Sequence, residues 1–229
     1  MKIKHLKLDC ANLGEQKYFY TKKFDFDIVE EQDGEITLKA GDSLLTFTEN
    51  RLKKSYYHFA FNIPYGAMEM AAEWVHKKVD VIVTEAGEIQ EFPNWDARSI
   101  YFLDPAGNVV ELIGRKNYDD SKPKKFSKSQ LLNISEVGLP VFQVTAAAKY
   151  IEETSNTKQF GKSTSNFCAH GDDEGLFIIV DKAEKSWFPT DEPAKEYPIE
   201  VIFGSGQSDF HLQLEGGGMT IEPVKAKKK

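Results

Sequence analysis

The sequence has little cysteine and no cysteine motif. Cys10 and Cys168 are the only two cysteines among its 229 residues, and they do not form a C-x-x-C pair. Small secreted domains rely on several closely spaced cysteines, so we expect no disulfide framework here. The composition fits a reducing compartment, and we expect a cytoplasmic protein.

Long hydrophobic runs are also missing. No apolar stretch approaches the roughly 18 residues that a membrane-spanning helix needs. The first ten residues, MKIKHLKLDC, alternate apolar side chains with lysine and histidine, so they lack the apolar region of a signal peptide. We therefore expect neither a membrane segment nor a signal peptide.

The chain also lacks an excess of positive charge. The net charge is −7 and the isoelectric point is about 5.4, which argues against nucleic acid as the partner. The lysine-rich end at 225–229 predicts a solvated, frayed terminus. Hydrophobic residues make up 41% of the chain, enough for one large domain or two small ones with cores of their own.

The stretch 99–115, SIYFLDPAGNVVELIGR, predicts a hairpin in which a Pro- and Gly-containing turn joins two apolar strands. Strand alternation places Val110 and Leu112 on one face, which should pack against helices. The other face carries Glu111 between apolar neighbours. A buried carboxylate needs a partner or a metal ion, so Glu111 marks a candidate site.

The same pattern of elements occurs twice in the first half of the chain. One β-α-β-β-β unit consists of a strand at 3–10, a helix at 15–24 and strands at 28–31, 36–40 and 44–48. A second unit has its first strand at 57–63, a helix at 68–79, a strand at 81–84 and the hairpin. This repeat predicts two related modules.

Aligning the two units places four side chains on the face away from the helices. His5 falls on His58 at the first strand, and Thr46 falls on Glu111 at the last. Three of these four residues are types that bind metal ions. The alternative is that Glu111 pairs with a protonated histidine or with Arg98, and that no metal is bound.

The second half of the chain repeats the pattern less clearly. The polar segment 116–130 predicts a linker between a domain at 1–115 and a degenerate, related domain at 131–229. In a third unit, Glu136 stands at the first-strand position that His5 and His58 occupy. No matching histidine follows at 197–203 and no helix is evident after Phe203, so we expect a truncated fourth unit and no complete second site.

Three segments, KHLKL, YHFAF and YFLDPAGNVVELI, resemble the vicinal oxygen chelate superfamily, which includes glyoxalase I, extradiol dioxygenases and bleomycin-binding proteins. The resemblance implies an α+β fold in which paired β-α-β-β-β modules form a cup-like curved mixed sheet. It implies that His5, His58 and Glu111 bind a divalent metal in that cup. Thr46 stands where glyoxalase I has a glutamate.

Two histidines and one glutamate form the facial triad of non-haem Fe(II) oxygenases, so the resemblance favours an extradiol-type ring-cleavage dioxygenase. Fe(II) is the preferred metal, with Mn, Zn or Ni as alternatives. A glyoxalase-like lyase or isomerase, or a metal-free small-molecule binding protein, remains open. We expect Tyr101 and Arg98 near the reacting groups, a small-molecule substrate as partner, and leave a homodimer open.

Overall fold

The computed structural model describes residues 1–225 and contains, within them, fifteen strands of one mixed sheet and three α-helices. No helix in this part of the chain is both long and apolar enough to cross a membrane. The predicted frayed terminus lies outside the described residues except for Lys225. The architecture is the predicted α+β fold.

The first module follows the prediction closely. Asn12 caps its helix by accepting a hydrogen bond from the Glu15 amide (3.1 Å), and a π-helical turn, Phe19–Lys23, extends it. Gly34 takes a positive φ of 74° in the predicted hairpin turn. The elements are β1 (Lys2–Cys10), α1 (Leu13–Tyr18), β2 (Ile28–Gln32), β3 (Glu35–Ala40) and β4 (Ser43–Glu49).

The second module corrects one predicted strand. Residues 81–84 form only an isolated bridge between Val81 and Phe102, because the backbones of Thr84 and Gly87 bond each other in a tight turn. The short strand forms a few residues later. The elements are β5 (His58–Ile63), α2 (Met68–His76), β6 (Gln90–Phe92), β7 (Ala97–Leu103) and β8 (Val109–Arg115).

The third module is complete, and the fourth is truncated as predicted. The third consists of β9 (Asn133–Val141), α3 (Val144–Ser155), β10 (Gln159–Thr164), β11 (Phe167–Asp172) and β12 (Gly175–Asp181). The fourth is an antiparallel series of strands without a helix in the described part of the chain. Its strands are β13 (Ile199–Ser205), β14 (Ser208–Glu215) and β15 (Gly218–Pro223).

The modules pair differently from the predicted order. Strand β5 of the second module pairs antiparallel with β9 of the third, and β1 of the first pairs antiparallel with β13 of the fourth. These ladders cross the predicted division at 116–130. Within that predicted linker, Asp119 packs against the body by accepting a hydrogen bond from the Tyr65 amide (2.8 Å).

The two faces of β8 divide as the alternation predicts. Val110 and Leu112 are buried in the core that contains Ala71 and Val75 of α2. Glu111 lies on the opposite face. Side chains from two modules therefore meet on the face away from the helices, where β5, β8 and β9 run side by side.

Candidate metal centre

Three buried side chains converge on this face. His58 of β5, Glu111 of β8 and Glu136 of β9 each offer one ligand atom, and these atoms all lie within 4.8 Å of one another. Within residues 1–225 this is the only group of three or more histidine, cysteine or acidic side chains with that geometry. The site is thus built from the second and third modules.

The hydrogen bonds of His58 fix which nitrogen faces the group. Its Nδ1 lies 3.1 Å from the carbonyl oxygen of Val109, and a carbonyl can only accept, so Nδ1 carries the hydrogen. In the neutral ring, Nε2 then presents its lone pair. Nε2 lies 3.6 Å from Oε2 of Glu111 and 3.6 Å from Oε2 of Glu136.

Each carboxylate is held by its other oxygen. The Ser99 hydroxyl donates to Oε1 of Glu111, and the Arg115 guanidinium donates to Oε1 of Glu136. Both Oε2 atoms are left facing His58. One imidazole nitrogen and two anchored carboxylate oxygens form a donor set that fits a divalent cation, and their second partners orient them as is typical of metal ligands.

Arg115 is the buried counter-ion of the site. Its side chain has 0% exposure, and it also donates to Oδ1 of Asn62 (3.0 Å) and to the Ser135 hydroxyl. The guanidinium supplies one positive charge against the two carboxylates. A divalent cation bound between them would therefore bring the centre to a net charge of +1.

Burial and mutual repulsion set the protonation states of the group. Burial raises the pKa of Glu111, and the nearby Glu136 carboxylate raises it further, to about 7. Burial also raises the pKa of Glu136, but Arg115 and His58 outweigh it, so that pKa lies below its usual value. Burial lowers the pKa of His58, whereas the two carboxylates raise it by more.

Metal affinity should therefore depend on pH. Glu111, with a pKa of about 7, must lose its proton to bind a cation, and a protonated His58 cannot bind one. Below the pKa, protons occupy these groups and compete with the metal, so affinity rises as pH rises. We expect the dissociation constant for Mn²⁺ to increase about tenfold or more when the pH is lowered from 8 to 6.

The signal of free Mn²⁺ in electron paramagnetic resonance measures this constant directly. Calorimetry in buffers of different ionisation enthalpy should also show proton release on binding at pH 6. Equal dissociation constants at the two pH values, with no proton release, would contradict the assignment of Glu111 as a ligand.

The structure places His5 away from this group. Its strand β1 pairs with β13 and β4, and its Nε2 lies 2.7 Å from Oγ1 of Thr46. Lys7 pairs with Thr46 in the ladder as Ala60 pairs with Glu111, which confirms the predicted equivalence of Thr46 and Glu111. His5 and His58 occupy equivalent positions in different halves of the sheet.

Sequence reasoning noticed Glu136 but did not place it at the centre. Glu136 holds the first-strand position of the third module, and its strand β9 pairs with β5, so it takes the place predicted for His5. The last strand of the third module, β12, completes the pattern. By register, its residue equivalent to Glu111 is Ile178, which offers no ligand atom.

The two residues predicted to act near the reacting groups lie on opposite faces of β7. Tyr101 pairs with Glu111 in the ladder and lies beside it, and burial, followed by the charges of Glu111 and Glu136, raises its pKa well above the usual value. Arg98 points to the helix face, because it lies three positions before Tyr101 and side chains alternate between faces along a strand. It pairs there with Glu69 (2.6 Å) and Glu91 (2.9 Å).

A cavity of about 270 Å³ opens onto the three ligand atoms. Part of its wall is the segment 182–198 between β12 and β13, called here the cover segment. Trp187 of this segment lies over His58, with ring centroids 5.4 Å apart, and fits against Gly138, where a Cβ would lie 2.4 Å from the indole. Six aromatic side chains line the cavity: Phe92, Trp95, Tyr101, Phe167, Trp187 and Phe188.

Comparison with known families finds a match to the first half of the chain. The model of the Glyoxalase/Bleomycin resistance protein/Dioxygenase superfamily matches residues 2–112. These residues are similar to that superfamily. The match covers His58 and Glu111, while Glu136 lies beyond it. No curated protein matches the sequence.

Solved structures extend the likeness of fold to nearly the whole chain. A Bacillus subtilis subsp. subtilis str. 168 protein named "putative dioxygenase" has a TM-score of 0.66 at 13% identity, covering 97% of this chain and 84% of that chain. A mutant of glyoxalase I from Zea mays has a TM-score of 0.57 at 13% identity, covering 93% and 88%. Both likenesses concern the fold alone.

Proposed function

We propose that the protein is a metal-dependent enzyme that moves a proton on a small substrate bound through two vicinal oxygens, in the manner of a glyoxalase-like isomerase or lyase. The observation that carries this proposal is Glu111. It is a buried carboxylate that lines the cavity, and its anchoring partner is the neutral Ser99 hydroxyl rather than a cation, so it can take a proton from a substrate and return it.

The donor set favours this reaction class over reactions that activate O₂. The facial triad of Fe(II) oxygenases has two histidines and one carboxylate, whereas this centre has one histidine and two carboxylates. Carboxylates suit Mn²⁺ and Mg²⁺, and imidazole suits Zn²⁺, Fe²⁺ and Ni²⁺. The extra carboxylate shifts our preferred metal from Fe(II) to Mn²⁺, with the others as competitors.

The protein residues divide the remaining tasks. A bound divalent cation would polarise a substrate carbonyl oxygen and acidify the neighbouring C–H bond. Glu136 is held by the Arg115 cation and stays a ligand, whereas Glu111 is held by the neutral Ser99 hydroxyl and is free to accept the proton. The protonated Tyr101 phenol beside Glu111 can donate to a developing oxyanion.

Deuterium exchange tests the proposal without knowledge of the natural substrate. We expect the Mn²⁺-loaded protein, kept free of oxygen, to catalyse exchange of the carbinol hydrogens of 2-hydroxyacetophenone in D₂O, measured by mass spectrometry. Glu111→Gln should lose this activity. No exchange above the rate of free Mn²⁺ with any of a panel of α-hydroxyketones and 2-oxoaldehyde hemithioacetals would contradict the proposal.

Extradiol ring cleavage is the second candidate, and the aromatic lining of the cavity favours it. Flat aromatic walls suit a catechol ring, and catechols chelate through two vicinal oxygens. Oxygen uptake by the Fe(II)-loaded protein with catechols, with formation of a yellow ring-cleaved product, would select this candidate. Uptake with no hydrogen exchange would replace the first proposal by the second.

A further inference from the structure

We propose that Lys185 of the cover segment recognises an anionic substituent, so that the substrate is an aromatic molecule with a vicinal oxygen pair at one end and a carboxylate or similar anion at the other. This inference rests on the proposed function only for the oxygen pair. Lys185 is the only lysine or arginine among the residues that line the cavity.

The backbone around Lys185 is held in place. Its carbonyl accepts a hydrogen bond from the Ala194 amide (2.9 Å), which closes the cover segment on itself. An ion pair of 2.5 Å between Lys182 and Glu196 closes its base, and the Tyr56 hydroxyl donates to the carbonyl of Pro193 (2.9 Å). The position of Lys185 at the cavity is therefore a property of the fold.

The ammonium group of Lys185 has no acidic partner among residues 1–225. The neighbouring Lys182 shows the contrast, because it pairs with Glu196 and lies 3.9 Å from the centroid of the Phe142 ring. A half-buried lysine that lines a mostly aromatic cavity and has no carboxylate partner among the described residues is available to an anion on a ligand.

The volume of the cavity and the position of Lys185 further restrict the kind of ligand that fits. A cavity of about 150 Å³ can hold benzene, so the volume of about 270 Å³ has space for one ring with substituents. Trp187 and Phe188 closely follow Lys185 in the chain and also line the cavity, which allows a ring to stack while its substituent reaches the ammonium. The opposite end of the ring would face Glu111 and Glu136.

A matched pair of inert probes tests this inference by binding alone. 3,4-Dihydroxybenzoate and 3,4-dihydroxybenzamide share the vicinal oxygen pair and the ring, and differ in the anion. Isothermal titration calorimetry of the oxygen-free, Zn²⁺-loaded protein measures the dissociation constant of each probe. We expect 3,4-dihydroxybenzoate to bind about tenfold more tightly than 3,4-dihydroxybenzamide, a difference of about 1.4 kcal/mol. The preference should shrink as salt is added.

Two variants assign the preference to the residue. Lys185→Met should bring the ratio of the two dissociation constants to about one, whereas Lys195→Met, on the same segment but exposed and away from the cavity, should leave it unchanged. A ratio near one in the wild type, or an unchanged ratio in Lys185→Met, overturns the inference about Lys185 and leaves the proposed function standing. Failure of both probes to bind contradicts the oxygen-chelating function itself.

Discussion

Glu136→Gln and His58→Gln are each expected to yield protein without bound metal, because each removes one of three ligands. The same changes at Glu200 and His5 should leave the metal bound. These two residues hold the register positions in the other half of the sheet that Glu136 and His58 hold in the centre. The four variants therefore form two matched pairs.

The expected loss is large. Removing an outer partner of a metal ligand typically weakens affinity by about 10–100-fold, and loss of a ligand should exceed that. Elemental analysis of protein purified without chelator gives the metal content per chain, and circular dichroism checks that each variant is folded. Metal lost in folded His5→Gln would return the ligand assignment to the first and second modules, whereas metal retained in folded His58→Gln would contradict both assignments.

Arg115→Met is expected to lower the free energy of unfolding by about 3–5 kcal/mol, the usual cost of breaking a buried ion pair by removing one partner. The change leaves Glu136, at 4% side-chain exposure, without its guanidinium partner. Arg98→Met is the matched control. Its two partners, Glu69 and Glu91, are exposed, so its loss should cost less than about 1 kcal/mol.

Urea unfolding of the metal-free protein measures both changes. The double variant Arg115→Met/Glu136→Met should recover most of the lost stability, since replacing both members of a buried pair by apolar groups is often neutral. The same double variant should bind no metal. A single Arg115→Met variant as stable as the wild type would contradict a structural role for this ion pair.

The sequence allowed good prediction of the local elements and of their faces. Period-two alternation placed Glu111 on the face away from the helices, and the internal repeat made His5 equivalent to His58. These properties depend on neighbouring residues within one module. They are therefore present in short stretches of sequence.

The pairing of modules could not be predicted in the same way. Whether β5 lies beside β1 or β9 depends on backbone hydrogen bonds between strands far apart in the chain, and backbone groups are the same for every sequence. For this reason His5 was predicted in the centre and Glu136 was left out. Arg115, a charged residue ending an apolar strand, was a signal that the prediction did not use.

The order of strand pairing has a consequence for how the chain folds during synthesis. The pair formed by the second and third modules is nested inside the pair formed by the first and fourth, as Phe59 meets Val137 while Leu6 meets Val201. The longer outer loop adds only about 1 kcal/mol of closure cost, but its last strand is made late. All strands of the inner pair are made by Asp181, before β13 begins at Ile199. The three metal ligands can therefore come together on the ribosome while the partner of the N-terminal strand is still unmade.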